Sequence, residues 1–274
     1  MISFREMVTG LRELSLDRSR PIIVHAALSK LGEIRGGPEA VLAALLQGSE
    51  SILMPAFTYK TMLIPETGPE NNAIKYGTGL LENRNAEFFD SKMPVDPIIG
   101  SLAEYLRRHP RAARSIHPIL SFTGIQVEAA LAAQTLQEPL VPIRILSEQD
   151  GYVLLFGVDH TSNTSIHYAE KLAGRKQFTR WALTRDGVRE CPGFPGCSNG
   201  FEQGALILEN ITRRTQIGDA QVRALPLRPM IELITQMIHN DPQALLCGNP
   251  NCERCSAVRK AANVSVVDQN QPGP

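Results

Sequence analysis

A histidine and a glutamate three residues apart, His167 and Glu170, are the side chains in this sequence best suited to moving a proton. They follow a polar segment, residues 159–165, which comes directly after an apolar run at 152–158. Residues three apart share one face of a helix, so a carboxylate there can fix the tautomer of an imidazole, the commonest general base. A surface His–Glu pair on an amphipathic helix has the same pattern, and both interpretations stay open.

A second candidate segment, residues 24–37, places a histidine and small residues at the end of a predicted strand. His25 opens it, two alanines follow, and Arg35 stands before a pair of glycines. Small residues allow close backbone approach to a ligand, and an arginine before a helix N-terminus could hold a phosphate. The segment is neither a Walker A loop nor the three-glycine dinucleotide fingerprint. A tight strand-to-helix turn explains it equally well.

Residues 114–118, Arg-Ser-Ile-His-Pro, form a third candidate, with Ser121 shortly after them. Arginine is well shaped to grip an anion such as phosphate. Arg114 and Ser115 could therefore hold an anionic group where a strand begins. The alternative is a loop whose polar groups cap neighbouring helix ends.

Five cysteines are too sparse for a disulfide scaffold, and an odd number in a reducing compartment favours thiols or metal ligands. Cys252 and Cys255 form a CxxC pair, and turn-forming glycines and prolines lie around them and around Cys191 and Cys197, as in zinc knuckles. These four residues predict a closed, structural zinc site. Ordinary thiols are the alternative, because the first pair is spaced more widely than in a usual knuckle. No catalytic metal is expected.

Short apolar strands alternating with helices must position these groups, and that alternation is typical of an α/β domain. We expect a three-layer α-β-α sandwich around a mixed central sheet, with a long loop at 58–97 that helps to form a binding pocket. Strands are predicted at 21–25, 51–55, 119–123 and 152–158, and a hairpin turning at 186–187 is expected to extend the sheet. Helices are predicted at 4–16, 39–46, 100–108, 126–136, 143–149, 161–172, 201–212 and 230–239.

Length and charge exclude several classes of protein. The chain has 274 residues with 28 basic and 28 acidic side chains, so it has no basic field for general nucleic-acid binding. Neither a signal peptide nor a membrane span is visible in the sequence, and we expect a cytoplasmic protein. Residues 1–266 are predicted to form one domain, and the polar residues 267–274 a disordered tail.

In their order and spacing, these segments resemble the aminoglycoside 3-N-acetyltransferase family of antibiotic acetyltransferases over about residues 3 to 240. The resemblance rests on Val24–Gly32 with Gly36 and Gly37, Leu53–Pro55, Phe89–Asp90, Met93–Pro94, Gly100–Glu104, Arg114–Pro118 and His167–Glu170. It implies an acetyltransferase domain that moves an acetyl group from acetyl-CoA to an amine. In the family's best-known members that amine is the 3-amino group of a 2-deoxystreptamine ring, and the outcome is antibiotic resistance.

The resemblance also implies roles for individual residues. His167 matches the family's catalytic histidine, Glu170 the glutamate of the same motif, and His25 the histidine that opens the acetyl-CoA loop, and all three are expected to be catalytic. Ala26 and Ala27 replace serines of the family, so backbone N–H groups would contact acetyl-CoA there. The residues matched to cosubstrate binding are Ala27, Leu28, Ser29, Lys30, Leu31, Gly32, Arg114, Ser115 and His117.

The acceptor is the most open question. A polycationic aminoglycoside needs an acidic wall, which the long loop could supply, although solvated loop charges explain these residues equally well: Glu66, Glu70, Glu82, Glu87, Asp90 and Asp96. Alternatives are acyl transfer to another small amine, a non-catalytic relative that binds CoA or a sugar, and a zinc hydrolase built on His167 and Glu170. The expected partner is a small-molecule amine, and a homodimer is left open.

Overall fold

The central layer of the protein is a mixed seven-stranded sheet. The computed structural model describes residues 1–269, with side chains through residue 262. The strands are β1 (Ile22–Ala26), β2 (Ile52–Pro55), β3 (Met62–Leu63), β4 (Ala113–Arg114), β5 (Phe122–Ile125), β6 (Tyr152–Phe156), β7 (Phe178–Thr184), β8 (Gly187–Phe194), β9 (Arg213–Ile217) and β10 (Ala220–Pro226). Seven of these strands form the large sheet, in the order β4-β5-β2-β1-β6-β10-β9, and β3, β7 and β8 form a smaller one. Its central strand β1 is parallel to β2 and β6, and the outer pairs are antiparallel.

Helices cover both faces of this sheet. They are α1 (Phe4–Glu13), α2 (Gly37–Gly48), α3 (Ser101–Arg108), α4 (Glu128–Ala132), α5 (Val141–Glu148), α6 (Ser165–Leu172), α7 (Ala205–Leu208), α8 (Leu227–Asn240) and α9 (Glu253–Gln269). Ile22 and Val24 of β1 belong to the core shared with α1, α2 and α3, whereas Ile23 belongs to the core shared with α5, α6 and α8. Alternate strand residues point to opposite faces, so a strand buried on both sides is apolar throughout. The predicted three-layer sandwich is confirmed.

The hairpin forms as predicted but joins a different sheet. Asp186 and Gly187 turn the chain between β7 and β8, and Gly187 adopts a φ of +105°, which glycine tolerates. β7 then pairs with β3 rather than with an edge of the large sheet, giving a separate three-stranded sheet. The expectation that this hairpin extends the central sheet is wrong, because alternation identifies two partner strands but not the sheet they join.

Several other elements differ from the sequence expectation. The predicted helix at 201–212 is broken into 3₁₀ turns around the one-turn helix α7, and β9, β10 and α9 were not predicted. Residues 267–269, assigned to a polar tail, continue α9, while the rest of that predicted tail, 270–274, lies outside the described residues. Among the described residues, no helix has the length and apolar character needed to cross a bilayer.

Candidate active site

A cavity of about 840 Å³ opens where three adjacent strands end. Its walls include Ala26–Ser29 at the end of β1, Pro55 and Phe57 at the end of β2, and Val158 just after β6. The carboxyl ends of parallel strands in an α/β sheet are the usual ligand position, because the chain leaves the sheet there and frees backbone groups. The second sheet and the start of α9 complete the walls with Arg180, Phe194–Gly196, Ser198, Asn199 and Arg254.

His167 lies in this cavity at the end of a buried chain of polar contacts. Its Nδ1 is 2.6 Å from Oε2 of Glu170, and Oε1 of Glu170 is 2.8 Å from a guanidinium nitrogen of Arg175. His167 is 7% exposed and Glu170 is 2% exposed, so neither is a solvated surface group. The carboxylate fixes Nδ1 as the protonated nitrogen, which leaves Nε2 as the basic atom. The ring of Phe201 packs edge-on against the imidazole at 4.7 Å.

Arg175 anchors this chain to a distant segment. Its Nη2 donates to the carbonyl oxygens of Pro242 and Ala244 at 2.9 and 2.8 Å. The guanidinium is thus divided between a buried carboxylate and two backbone carbonyls. This geometry favours the base interpretation of His167 and Glu170 over the surface-pair interpretation. It gives no support to a zinc hydrolase, because the described residues contain no group of three metal-ligating side chains that includes this pair.

His25 also lines the cavity but differs in its environment. It is 7% exposed, and its buried Nε2 has no hydrogen-bond partner among the described residues. Burial, with smaller contributions from His160 and His167, lowers the pKa of His25 to about 3. The imidazole is therefore neutral at physiological pH.

Only the first half of the predicted acetyl-CoA loop reaches the cavity. Ala27, Leu28 and Ser29 line it, whereas Lys30 is exposed elsewhere and Leu31 is fully buried in the core. Gly32, the last residue of that loop, also lies outside the cavity wall. The N–H of Ala27 donates to the carbonyl of Phe156, which removes it as a donor to a ligand. In the described hydrogen bonds, the N–H groups of Leu28 and Ser29 have no acceptor.

In the second predicted cosubstrate segment, the hydrogen-bonding groups of the side chains are used within the protein. Arg114 donates to the carbonyls of Ala56, Ser91 and Met93 and to the hydroxyl of Ser121, and burial lowers its pKa to about 10.

Two further residues of that segment also bond to the protein's own backbone. Nδ1 of His117 accepts two backbone N–H groups, from Ile119 and Leu120, and Ser115 accepts the N–H of Phe122. None of Arg114, Ser115 and His117 lines the cavity. Their contacts argue against direct contact with a cosubstrate, and they join loop and strand backbone rather than the helix ends that the alternative expected.

The predicted acidic wall is absent. No aspartate or glutamate lies among the described residues that line the cavity, and Glu66, Glu70, Glu82, Glu87, Asp90 and Asp96 all lie elsewhere in the loop. Two arginines line it instead. Arg180 donates to the carbonyls of Asn72 and Thr179 and lies over the rings of Phe178 and Phe194, and Arg254 donates to the carbonyl of Gly196.

These two guanidinium groups have no carboxylate partner in the described part of the chain. Burial, followed by the positive charge of Arg254, lowers the pKa of Arg180 to about 10. Like charges therefore lie close enough to repel each other. Sequence reasoning missed both residues, because Arg180 enters the cavity from a hairpin that was expected to extend the central sheet, and Arg254 enters from α9, which was not predicted.

Four cysteines converge behind this wall, but not the four predicted. The Sγ atoms of Cys197, Cys247, Cys252 and Cys255 all lie within 4.8 Å of one another. Cys191 is instead held inside β8, where it pairs in register with Arg180, and Cys247 takes its place. The prediction included Cys191 because of its spacing from Cys197, but Cys197 lies beyond the end of the strand that contains Cys191.

Comparisons with known proteins agree with this architecture. The family model described as aminoglycoside 3-N-acetyltransferase matches residues 23–239. A Bacillus subtilis (strain 168) protein, described as SPbeta prophage-derived aminoglycoside N(3')-acetyltransferase-like protein YokD, is 29% identical over 174 residues, which are 61% of this chain and 64% of that protein. Aminoglycoside N(3)-acetyltransferase VII of Streptomyces paromomycinus is 30% identical over 226 residues, 74% of each chain. The crystal structure of aminoglycoside acetyltransferase AAC(3)-IVa has a TM-score of 0.76 at 23% identity and covers 94% of this chain and 97% of its own.

Proposed function

The chain belongs to the aminoglycoside 3-N-acetyltransferase family, and on that premise we propose that it transfers the acetyl group of acetyl-CoA to an amine, with His167 as the general base. The observation that carries this proposal is the buried chain from His167 through Glu170 to Arg175 at the cavity wall. A related fold with a TM-score of 0.69 and 21% identity, AAC-IIIb, has a solved binary structure with CoASH. We propose the same cosubstrate for this chain.

The proposed reaction needs only His167, the acceptor amine and acetyl-CoA. Nε2 of His167 takes a proton from the acceptor ammonium, the freed nitrogen pair attacks the thioester carbonyl carbon, and a C–N bond forms. The C–S bond then breaks, the nitrogen of the new amide gives up its second proton, and the departing CoA thiolate takes up that proton. Glu170 is a positioning residue, because its carboxylate holds the Nδ1–H and stabilises the imidazolium that forms. General base catalysis of this kind contributes about 10²–10⁴-fold in rate.

The tetrahedral oxyanion needs donors that the protein does not already use. The N–H groups of Leu28 and Ser29 meet that requirement, since both residues line the cavity and neither N–H has an acceptor in the described structure. Ala27 does not qualify, because its N–H is bonded to Phe156. We assign the oxyanion to Leu28 and Ser29, since such preorganised donors stabilise charge as it develops.

Two classes of acceptor are distinguished by the cavity wall. The family premise favours the 3-amino group of a 2-deoxystreptamine aminoglycoside, and a mutant of AAC(3)-IVa has been solved in complex with a gentamicin. The wall favours a second class, a small amine that also carries a carboxylate, phosphate or sulfate. Arg180 and Arg254 line the cavity without carboxylate partners, whereas a polycation would meet two like charges there. Arginine binds such anions through paired N–H donors.

A thiol-release assay with acetyl-CoA tests both the reaction and the acceptor. The panel holds gentamicin and apramycin as polycations, a neutral monoamine, and amino acids and amino-sugar phosphates as anionic amines. CoA release that depends on an amine and is lost in His167→Ala supports the proposed reaction. Acetyl-CoA binding with no release for any amine would instead indicate a non-catalytic relative. The best substrate identifies the acceptor class, and a cytoplasmic location and a homodimer stay predictions.

A further inference from the structure

The four clustered cysteines come from three separate segments. Cys197 follows β8, Cys247 lies between α8 and α9, and Cys252 and Cys255 flank the first turn of α9. Three of them are buried, and Cys252 is partly buried. Thiols packed only as small apolar side chains have no reason to bring four sulfur atoms within 4.8 Å of one another. The geometry points to a ligand shared by all four.

The spacing of the sulfur atoms fits a tetrahedral metal ion. A zinc ion with four thiolates at about 2.3 Å separates its sulfur atoms by about 3.8 Å. Sγ of Cys247 is 3.4 Å from Sγ of Cys255, and the whole set falls within 4.8 Å. A disulfide requires about 2.05 Å and joins only two sulfur atoms. The spacing is therefore too long for a bond between sulfur atoms and close to that around a shared ion.

The surroundings of the cluster suit its charge. Four thiolates around Zn²⁺ leave a net charge of −2, which nearby cations and N–H groups must offset. Arg259 donates to the carbonyl of Cys247 at 2.9 Å, which brings a cation to the cluster. No carboxylate belongs to the cluster in the described residues. We propose that Cys197, Cys247, Cys252 and Cys255 bind one structural zinc ion that fixes the arginine-bearing wall of the cavity.

The position of the cluster indicates which part of the cavity wall this ion would hold in place. Gly196 and Ser198, on either side of Cys197, line the cavity, as does Arg254. Arg254 bonds to the carbonyl of Gly196 at 2.8 Å, so the segment that holds Cys197 and the start of α9 already meet at the wall. With four protein ligands the site is closed, so the ion takes no part in proton transfer.

The first experiment measures metal in the full chain, purified under reducing conditions without chelator. We expect about one equivalent of zinc, and thiolate-to-metal charge-transfer absorption when Co²⁺ replaces it. Cys247→Ser should lose the zinc and the absorption band. Cys191→Ser is the matched control, a buried thiol outside the cluster, and should keep both.

A second readout does not depend on any variant folding. Zinc removal from the wild-type chain should raise amide hydrogen exchange around residues 195–200 and 244–258 and leave α1 unchanged. Zinc below about 0.1 equivalent after reconstitution, equal loss in both cysteine variants, or a disulfide by mass spectrometry would overturn the site. Metal content is measured without turnover, so a zinc-loaded chain with no transferase activity would refute the proposed function while supporting this site.

Discussion

The charged side chains on two walls of the cavity have different kinds of partner. On the histidine wall, His167, Glu170 and Arg175 form a continuous chain in which the buried carboxylate faces an imidazole on one side and a guanidinium on the other. On the arginine wall, Arg180 and Arg254 face the cavity with backbone carbonyls as their partners. On the histidine wall each charged group has a charged partner, whereas the two arginines of the other wall have no carboxylate partner in the described residues.

The difference suits one wall to the reaction and the other to recognition of the acceptor. A buried charge that is fully hydrogen-bonded is held in one geometry, which favours a catalytic group that must be oriented before substrate arrives. A buried cation without a counter-charge costs desolvation that an anionic ligand can offset on binding. We therefore assign the reaction to the histidine wall and the choice of acceptor to the arginine wall.

The largest effect is expected at the reacting atom. His167→Ala should lower kcat by about 10²–10⁴, because it removes the proton acceptor while leaving the acetyl-CoA contacts intact. Steady-state kinetics with acetyl-CoA binding measured separately will check this. His239→Ala, at the exposed end of α8, is the control and should be neutral. Wild-type activity in the His167 variant would remove the histidine wall from the mechanism.

Removal of the guanidinium that bonds to Glu170 tests how far the stability of the protein depends on the charged partner of this buried carboxylate. Arg175→Ala leaves a buried carboxylate without its cation, which costs about 3–5 kcal/mol in the free energy of unfolding. Urea unfolding will measure it. Arg185→Ala breaks the exposed pair with Asp90 and should change stability by less than about 1 kcal/mol. Equal effects of the two variants would contradict the contrast.

A change on the arginine wall should affect recognition rather than turnover. Arg254→Gln removes a charge-assisted contact worth about 1.5–3 kcal/mol, so the KM for an anionic amine should rise by roughly 10-fold to 150-fold with kcat little changed. Lys260→Gln is the control on the same helix, since Lys260 is exposed and does not line the cavity. A rise in the KM for acetyl-CoA alone would assign the wall to the cosubstrate's phosphates.

The smallest effect concerns His25 and pH. Its pKa is about 3 in the folded protein, below the ordinary value of 6.5, so folding favours the neutral form. Its contribution to stability is therefore fully present above pH 6.5 and is lost as pH falls toward 3, by up to about 1.4 kcal/mol per pH unit. Between about pH 7 and 5.5, His25→Asn should lose about 1 kcal/mol less than wild type. His239→Asn should behave as wild type, and parallel losses in all three proteins would contradict this account.

Sequence patterns predicted what depends on neighbouring residues. The spacing of His167 and Glu170, the apolar run of β6 and the turn at Gly187 are local signals, and the structure contains each of them. Arg114 shows the limit. Its residue type suggested an anion site, but carbonyls from segments up to 58 residues away take up its donors.

Long-range placement also decided which cysteines come together. Cys247 lies closer in sequence to Cys252 than Cys191 does, yet the wider CPGFPGC spacing drew attention to Cys191. The fold excludes Cys191 because the strand β8 holds it in register with β7. The same applies to Arg180 and Arg254, which reach the cavity through tertiary packing that no local spacing encodes.

The anchoring of Arg175 on the carbonyls of Pro242 and Ala244 has a consequence for synthesis on the ribosome. Glu170 and Arg254 are separated by 84 residues, which take roughly 4–17 s to translate at about 5–20 residues per second. During that interval His167 and Glu170 exist in a nascent chain that lacks Arg254 and, for most of the time, the carbonyl anchor at Pro242 and Ala244. Arg175 can therefore be anchored only after α8 has been made, late in synthesis, and a chain stalled before residue 242 lacks both carbonyls that hold it.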